Sequence, residues 1–308
     1  MSLVQKSVWR IEALAFSGLF ALLRALGVEG ASGFGGWLLR TLGPVVGTHK
    51  TVLRNLQIAF PDMTSAERDQ LARDQWEQTG RTFAELAVMD HLTPEGGRID
   101  VVGLERLHAI RDSGKAVVLV SGHLANFEVM AAVIMSAGVP CQVTYRAANN
   151  PYVDALIRRS RERYGIKLFA PKGGDGAREL LQGMSRGESP ALLNDQKFSE
   201  GPEVTFFDHP VNAAPGPTRL ALRFGTVLQP MSVVRLPGVR FRVTAHEPIE
   251  VHDTGDRQGD IARGVQAVTT FVEDRVREHP VDWFWVHKRW PDKVYAALKA
   301  QQTGETPV

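Results

Sequence analysis

Two ionisable residues, His123 and Glu128, stand five positions apart just after an apolar, β-branched segment. A carboxylate that binds one imidazole nitrogen fixes the tautomer and leaves the other nitrogen free to accept a proton. Positions i and i+5 diverge on a continuous helix, so the two side chains can meet only if His123 precedes the helix. The pair therefore suggests a general base. A core histidine beside an exposed helical glutamate remains an alternative.

The segments around this pair predict a strand, a turn and a helix. Residues 116–120 are typical of a strand buried on both faces, and residues 124–137 are apolar on all sides, as in a helix between layers. A turn between such elements lies at the carboxyl edge of the sheet, where open α/β sheets bind ligands. We expect His123 in that turn.

Two further strand ends carry chemically useful groups. Arg146 follows a predicted strand and can clamp a phosphate or carboxylate, although a surface ion pair with Asp154 is the simpler alternative. Asp195 ends another strand and can accept a hydrogen bond from an arginine or a substrate hydroxyl. An ordinary strand-end turn is the alternative for Asp195.

The sequence His123-Leu-Ala-Asn126-Phe-Glu128 resembles the H-x-x-x-x-[DE] motif of glycerolipid-type acyltransferases. More narrowly, the chain is similar to the lauroyl and myristoyl acyltransferases of bacterial lipid A biosynthesis. Three later blocks follow in that family's order. They are Tyr145-Arg146-Ala-Ala-Asn149-Asn150-Pro151, then Asn194-Asp195-Gln196, and then Trp285-Val286-His287-Lys288-Arg289.

This resemblance implies roles for the matching residues. His123 and Glu128 would be the catalytic dyad. The substrate-binding residues would be Asn126, Tyr145, Arg146, Asn150, Asp195, Gln196, His287 and Arg289. The resemblance also implies an acyl carrier protein as donor, a phosphorylated glycolipid precursor of lipid A as acceptor, and the cytoplasmic face of the inner membrane as location.

A basic segment follows the Tyr145 block. Arg158, Arg159, Arg161 and Arg163 lie on one predicted helix, 151–164, and we expect Arg159 and Arg163 to contact a substrate. Clustered cations favour phosphorylated glycolipid, anionic headgroups or an acidic carrier protein. A solvated helix face is an equal alternative, and no nucleic-acid partner is expected.

The tryptophans at 283, 285 and 290 suit either the site or a membrane interface.

The N-terminal quarter is predicted to be helical. Residues 13–23 are uncharged but too short to span a bilayer, which needs about 20 apolar residues. Snorkelling of Arg24 toward the interface would let residues 25–28 extend this run. We expect residues 1–28 to form an interfacial or shallowly inserted membrane anchor, or else to pack as a first core helix. Gly30 to Gly36 predicts a turn. A capping-box spacing from Thr64 to Glu67 predicts a long helix to about Met89, with Leu71, Trp76, Thr79, Phe83 and Leu86 on its inner side.

From Ile99 onward the pattern alternates between strands and helices, which predicts an α/β fold with a largely parallel sheet flanked by helices. The expected divisions are an anchor helix at 1–28, a helical section at 29–98, an acyltransferase core at 99–300 and a disordered tail at 301–308. Predicted strands are 99–102, 116–120, 140–145, 166–170, 190–194, 227–235 and 239–247.

The composition and the absence of several known motifs exclude some classes of function. The chain has 308 residues, 44% of them hydrophobic and 23% charged, with a net charge of +2, as in an ordinary globular protein. The single cysteine, Cys141, excludes an internal disulfide and a cysteine-based zinc site. No nucleophile elbow, P-loop or H-E-x-x-H motif occurs, so no metal or cofactor is expected.

We therefore expect direct acyl transfer from a thioester to a hydroxyl, with His123 as general base and no acyl-enzyme. Two alternatives remain. One is an acyl-CoA-dependent acyltransferase of phosphatidylinositol mannosides. The other is a non-catalytic lipid-binding protein at the membrane.

Overall fold

The computed structural model describes residues 3–145, 147–163, 166, 169–171 and 174–303. The helices are Leu3–Ala25 (α1), Gly27–Leu42 (α2), His49–Ala59 (α3), Ser65–Glu85 (α4), Leu104–Ser113 (α5), Glu128–Ser136 (α6), Pro151–Arg163 (α7), Gly174–Ser185 (α8), Gly216–Phe224 (α9), Arg257–Glu278 (α10) and Asp292–Thr303 (α11). The strands are Ile99–Val102 (β1), Val118–Ser121 (β2), Cys141–Tyr145 (β3), Phe169–Pro171 (β4), Ser189–Leu193 (β5), Glu203–Phe206 (β6), His209–Asn212 (β7), Leu228–Leu236 (β8) and Arg240–Ala245 (β9). Short 3-10 helices occupy Gly43–Val45, Leu86–His91 and Pro280–Asp282.

The sheet has seven strands in the order β1-β9-β8-β2-β5-β3-β4. Neighbouring strands are parallel except for β8 and β9, which form an antiparallel pair. The predicted largely parallel sheet with flanking helices is therefore confirmed. The sequence did not predict β6 and β7, which form a separate antiparallel hairpin.

The pairing of β2 with β5 places two strand ends side by side. Ser121, the last residue of β2, is opposite Leu193, the last residue of β5, in a parallel register. Each chain then continues past the same edge of the sheet, and Asn194 N–H donates to the Ser121 carbonyl over 2.9 Å. His123 and Asp195 each follow their strand end by two residues, so this register brings them to the same point.

The capping box at the start of α4 forms as predicted. The Thr64 hydroxyl accepts from the Glu67 backbone N–H, and the Glu67 carboxylate accepts from the Thr64 backbone N–H. The helix ends at Glu85, earlier than expected, and a 3-10 segment follows. Phe83, predicted on the inner side, is 51% exposed.

The glycine-rich segment 30–36 is helical, which corrects the predicted turn. It belongs to α2, which packs closely along α4. A Cβ on Gly35 would overlap the carbonyl oxygen of Gly80, and one on Gly80 would overlap the carbonyl oxygen of Gly35. The glycines therefore permit close approach of two helices and do not end one.

The first helix packs on the rest of the chain through polar contacts. Arg24 donates to both carboxylate oxygens of Asp90, over 2.7 and 2.8 Å, and to the Ala87 carbonyl. Its guanidinium is therefore used inside the protein, which corrects the expectation that it reaches toward a membrane interface. The Asn150 side chain, before α7, donates to the Trp9 carbonyl and to Glu12.

The outer face of α1 is apolar. Val4, Val8, Ile11, Leu14, Leu19 and Leu22 are exposed large hydrophobic residues. Among the described residues, no helix is both long enough and apolar enough to cross a membrane.

The C-terminal tryptophans and the chain end also differ from expectation. Trp283, Trp285 and Trp290 are all buried in the core, which excludes the membrane-interface interpretation for their rings. Helix α11 continues to Thr303, beyond the predicted start of the tail at Gln301. Residues 304–308 lie outside the described residues.

Candidate active site

Asp195 holds His123 by two hydrogen bonds. The His123 Nδ1 and Asp195 Oδ1 atoms are 2.6 Å apart, and the His123 backbone N–H donates to Oδ2 over 2.7 Å. The Asp195 side chain is only 3% exposed, whereas that of His123 is 18% exposed. With Nδ1–H donated to the carboxylate, Nε2 is left as the proton acceptor.

The environment keeps Asp195 ionised. Burial alone would raise the pKa of this carboxyl group, but His123, its two hydrogen bonds and a third from Trp283 together hold the pKa well below its usual range. Trp283 Nε1 donates to Oδ2 over 2.7 Å. A buried, ionised carboxylate can stabilise the imidazolium that forms when His123 takes up a proton.

Close backbone packing makes these contacts possible. A Cβ on Gly122 would lie 3.1 Å from both Asp195 Oδ2 and Val272 Cγ1, tighter than an ordinary contact. A larger residue at this position would push Asp195 away from the His123 turn.

Glu128 does not occupy the predicted position at His123 Nδ1, and this is the main correction to the predicted dyad. At the start of α6, Glu128 forms a bidentate ion pair with Arg161 of α7, with one of the two contacts at 3.1 Å. Both side chains are largely buried. The helix predicted from residue 124 begins only at Glu128. The pair therefore joins α6 to α7 behind the motif, and Arg161 is not a free member of the basic helix.

The segment between His123 and Glu128 is held in a constrained conformation. Ala125 has φ +41°, which side-chain-bearing residues rarely adopt. Its N–H donates to the Asp282 carbonyl over 2.7 Å, and its carbonyl accepts from the Thr82 hydroxyl. These contacts fix the backbone between the histidine and α6.

Asn126 anchors the same segment from inside the protein. Its side chain is fully buried and donates to Glu85 Oε2 over 2.8 Å. Glu85 is itself fully buried, and it accepts two hydrogen bonds from Arg235 of β8 and one from the Ser32 hydroxyl. Asn126 is thus a positioning residue, which corrects its predicted role in substrate binding.

Two apolar spaces adjoin the cavity that contains His123, and each shares one aromatic residue with it. A cavity of about 220 Å³ is lined by His123, Gln196 and His287, with Phe127 and Phe83 on its walls. Phe127 also lines an apolar cavity of about 90 Å³ between α6 and the sheet, which contains the Glu128–Arg161 pair. Phe83 also lines a groove of about 400 Å³ formed by apolar residues of α1, α2 and α4.

The other predicted residues lie at several places around the site. Gln196 and His287 line the His123 cavity, and the Gln196 amide nitrogen is 3.5 Å from His123 Nε2. Tyr145 lies at the end of β3, with the Arg161 guanidinium 6.0 Å from its ring centre. Arg159 is exposed on α7. Arg146 and the Arg163 side chain lie outside the described residues.

Two of the predicted ligands have structural contacts instead. Asn150 joins α1 to α7, as described above. Arg289 is 2% exposed, donates to the Asn212 carbonyl over 3.0 Å and lies over the Phe206 ring. Burial lowers the pKa of Arg289 to about 10. Arg289 also lines a small cavity of about 10 Å³ together with His123 and Asp195, but it does not line the larger cavity.

Trp283 is the functional residue that the sequence analysis missed. The sequence predicts the tryptophan-rich block either near the site or at a membrane interface, and it predicts no role for Trp283 itself. The antiparallel bridge between Leu124 and Trp283 brings this segment against the His123 turn. A buried indole needs an acceptor for its N–H, which is a signal that could have paired Trp283 with Asp195.

The arrangement can support proton transfer, whereas neither the nearby cysteine nor the nearby serine is placed to act as a nucleophile. Burial raises the pKa of the Cys141 thiol to about 12, so Cys141 on β3 is a poor nucleophile. The Ser121 hydroxyl is buried and bonds to the Gly122 carbonyl. Within the described ranges, no three His, Cys, Asp or Glu side chains gather as a metal site.

Sequence comparisons match this chain to one family and to several curated proteins. The profile of the family described as bacterial lipid A biosynthesis acyltransferase matches residues 7–292. A lipid A biosynthesis acyltransferase of Haemophilus influenzae is 25% identical over 75% of this chain and 72% of its own length. A lipid A biosynthesis myristoyltransferase of Escherichia coli is 26% identical over 52% of this chain and 49% of its own length.

A relative with a different named substrate is similar over more of the chain. A phosphatidylinositol mannoside acyltransferase of Mycolicibacterium smegmatis is 23% identical over 91% of this chain and 92% of its own length. All three relatives carry acyltransferase names.

Proposed function

Because the chain belongs to the bacterial lipid A biosynthesis acyltransferase family, we propose that it transfers a fatty acyl chain from a thioester to a hydroxyl of a membrane glycolipid. The observation that carries this proposal is the His123–Asp195 pair, which faces a cavity flanked by two apolar spaces. The acceptor we propose is a phosphorylated precursor of lipid A.

The chemistry begins at His123 Nε2. This nitrogen takes the proton of the acceptor hydroxyl while Asp195 stabilises the imidazolium. The hydroxyl oxygen attacks the thioester carbonyl carbon and forms a tetrahedral oxyanion. The carbon–sulfur bond then breaks, and the imidazolium returns its proton to the leaving thiolate. The products are an ester and a free thiol, with His123 regenerated.

Gln196 is placed to assist the tetrahedral intermediate. Its amide nitrogen lies 3.5 Å from His123 Nε2, beside the position of the reacting atoms. A side-chain amide can donate to a developing oxyanion, which is the transition-state interaction that acyl transfer needs most. We assign Gln196 this role rather than acceptor recognition.

The two apolar spaces suit the two acyl chains of such a reaction. The apolar cavity behind Phe127 lies against the sheet, and we assign it to the chain of the donor. The groove beyond Phe83 opens beside α1 and is suited to a chain of the acceptor. The His123 cavity shares Phe127 with the first space and Phe83 with the second, and we place ester formation in that cavity.

The exposed face of α1 supports membrane association, which is part of this proposal. Its apolar residues form a stripe on a helix that packs by its other side, which is typical of a helix lying in the membrane interface. Lys6 and Arg10 on the same helix favour anionic lipid. We propose location at the cytoplasmic face of the inner membrane.

The donor we propose is acyl carrier protein. Arg158 and Arg159 are exposed on α7, and an acidic carrier protein would be attracted to such a surface. Coenzyme A offers a phosphorylated alternative with the same charge preference.

A reconstituted assay tests the proposal. Purified protein in mixed micelles is incubated with lauroyl- or myristoyl-acyl carrier protein and a tetra-acylated lipid A precursor, and products are measured by mass spectrometry. The wild type is expected to add one acyl chain, and the His123→Ala variant is expected to add none. Intact-protein mass in the absence of acceptor should show no acyl adduct, since direct attack forms none.

A second candidate rests on the comparison over 91% of this chain. The same site can acylate a phosphatidylinositol mannoside from acyl-CoA. Parallel assays with that donor and acceptor distinguish the two, because only the true pair should give full turnover. If neither pair reacts, a non-catalytic lipid-binding role replaces both.

A further inference from the structure

One wall of the His123 cavity is a polar stripe on α4. Gln75, Gln78, Thr79 and Thr82 follow the spacing i, i+3, i+4 and i+7, which places them on one side of the helix. All four line the cavity that contains His123. Gln75, Thr79 and Thr82 are buried, so this polar face is turned inward and away from bulk solvent.

The hydrogen-bonding groups of this polar stripe are only partly used. Gln75 donates its amide to the Thr79 hydroxyl, and Thr82 donates to the Ala125 carbonyl. Thr79, as the acceptor, keeps its own hydroxyl hydrogen to donate. Within the part of the chain that the structure describes, the buried Oε1 atoms of Gln75 and Gln78 have no donor. Buried acceptors of this kind are costly unless a ligand or solvent supplies a donor.

The chemistry of the stripe is that of a site for hydroxyl groups. Its four residues carry no charge, whereas phosphate and carboxylate sites are typically built from arginine or lysine. The glutamine amide oxygens can accept hydrogen bonds from the hydroxyls of a ligand, and the Thr79 hydroxyl can donate a hydrogen bond to such a hydroxyl. A neutral ring with several hydroxyls, next to the hydroxyl that His123 deprotonates, matches this pattern.

The order of polar and apolar walls along the cavity indicates which substrate carries these hydroxyls. Past Phe83 the cavity adjoins the apolar groove beside α1, so a polar pocket is followed by an apolar one. An amphiphile with a sugar headgroup and an acyl chain has this order of polarity. We propose that Gln75, Gln78 and Thr79 bind an uncharged sugar ring of the acceptor, an inference that rests on the proposed function.

Kinetics with matched variants test this assignment. Gln75→Leu and Thr79→Val remove hydrogen-bonding groups at nearly constant volume, while Thr79→Ser keeps the hydroxyl. Gln70→Leu, on the exposed side of the same helix, is the control. The loss of one neutral hydrogen bond should raise KM for the acceptor about 2- to 12-fold. Thr79→Ser and Gln70→Leu should stay near wild type, and KM for the donor should not change.

The pantetheine group of the donor also carries amides, which could bind to the same polar side chains. The measurement of KM for the donor therefore decides between the two substrates. A rise in KM for the donor in place of the acceptor would overturn the assignment, as would unchanged KM for both. Circular dichroism of each variant shows whether it is folded. Should Gln75→Leu fail to fold, the Thr79→Val and Thr79→Ser pair decides alone.

A binding measurement separates this inference from the proposed reaction. Dodecyl maltoside below its critical micelle concentration is a neutral, hydroxyl-bearing amphiphile, and its binding can be followed by saturation-transfer NMR on the His123→Ala variant. Thr79→Val in that background should weaken binding by a similar factor, and Thr79→Ser should not. Equal binding by both would refute the sugar site. If Thr79→Val weakened binding while the wild type showed no acyl transfer in the reconstituted assay, the sugar site would stand and only the proposed reaction would be refuted.

Discussion

The carboxylate of Asp195 accepts hydrogen bonds from both Nδ1 and the backbone N–H of His123, at 2.6 and 2.7 Å. The two contacts fix the ring and the turn that carries it. A third hydrogen bond, from Trp283, leaves this carboxylate little freedom to rotate. The proton-accepting nitrogen is therefore held at one point of the cavity.

Substitution at this pair should lower kcat strongly while the protein stays folded. A general base contributes about 10²- to 10⁴-fold, so His123→Ala should lower kcat by that factor. Asp195→Asn should also lower kcat strongly, because an amide can favour the wrong tautomer and cannot balance the imidazolium. Measurement of kcat in the reconstituted assay checks both, and near wild-type turnover by His123→Ala would contradict the assignment.

The Glu128–Arg161 pair should affect folding more than chemistry. Breaking a buried ion pair on one side costs about 3–5 kcal/mol, since the charge of Arg161 stays buried after its contact with Glu128 is lost. Glu128→Gln should therefore lower the free energy of unfolding, measured in urea, and the Glu128→Gln/Arg161→Met double variant should recover part of it.

Turnover separates this role from that of Asp195. Folded Glu128→Gln protein should keep a kcat much closer to wild type than Asp195→Asn does. If the two variants lost kcat equally while Glu128→Gln remained stable, Glu128 would belong to the proton-transfer machinery.

Membrane binding should depend on the outer face of α1. Ile11 is 67% and Leu14 73% exposed, so Ile11→Ser/Leu14→Ser removes apolar surface without disturbing the core. Co-sedimentation with phosphatidylethanolamine–phosphatidylglycerol vesicles should fall several-fold. Val102→Ser, at an exposed apolar residue of β1, is the matched control. Equal sedimentation of variant, control and wild type would exclude α1 as the membrane contact.

These substitutions test the anchor better than deletion of residues 1–28 does. Deletion also removes the contacts of Arg24 with Asp90 and of Trp9 and Glu12 with Asn150. A loss of membrane binding after deletion would therefore be mixed with a loss of stability.

Asp282 should make stability depend on pH. Burial raises the pKa of this carboxyl group to about 6, against the opposing effects of Arg235 and His279. Because the folded pKa exceeds the unfolded one, the contribution of Asp282 is most favourable below about pH 4 and is lost as pH rises through 6. Asp282→Asn should therefore gain stability relative to wild type at pH 7.5, by roughly 1–3 kcal/mol, and less at pH 4.5. Thermal unfolding at the two pH values measures this, and an equal effect at both would contradict the shifted pKa.

Local sequence signals determined a large part of this protein. The β-branched run before His123, the capping box at Thr64 and the alternation after Ile99 each depend on neighbours in the chain, and each predicted its element. The resemblance carried by the motif blocks indicated the acyltransferase family. Of the site residues predicted from them, His123, Gln196 and His287 line one cavity.

Tertiary structure decided which carboxylate serves the histidine. Glu128 is five residues from His123, but its side chain is drawn to Arg161 on another helix. Asp195 is far away in sequence, and only the parallel register of Ser121 with Leu193 brings it to His123. Glycines 35 and 80 likewise permit a helix contact, where sequence suggested a turn. Spacing along the chain specifies which residues share a face, whereas strand register and helix packing specify which faces meet.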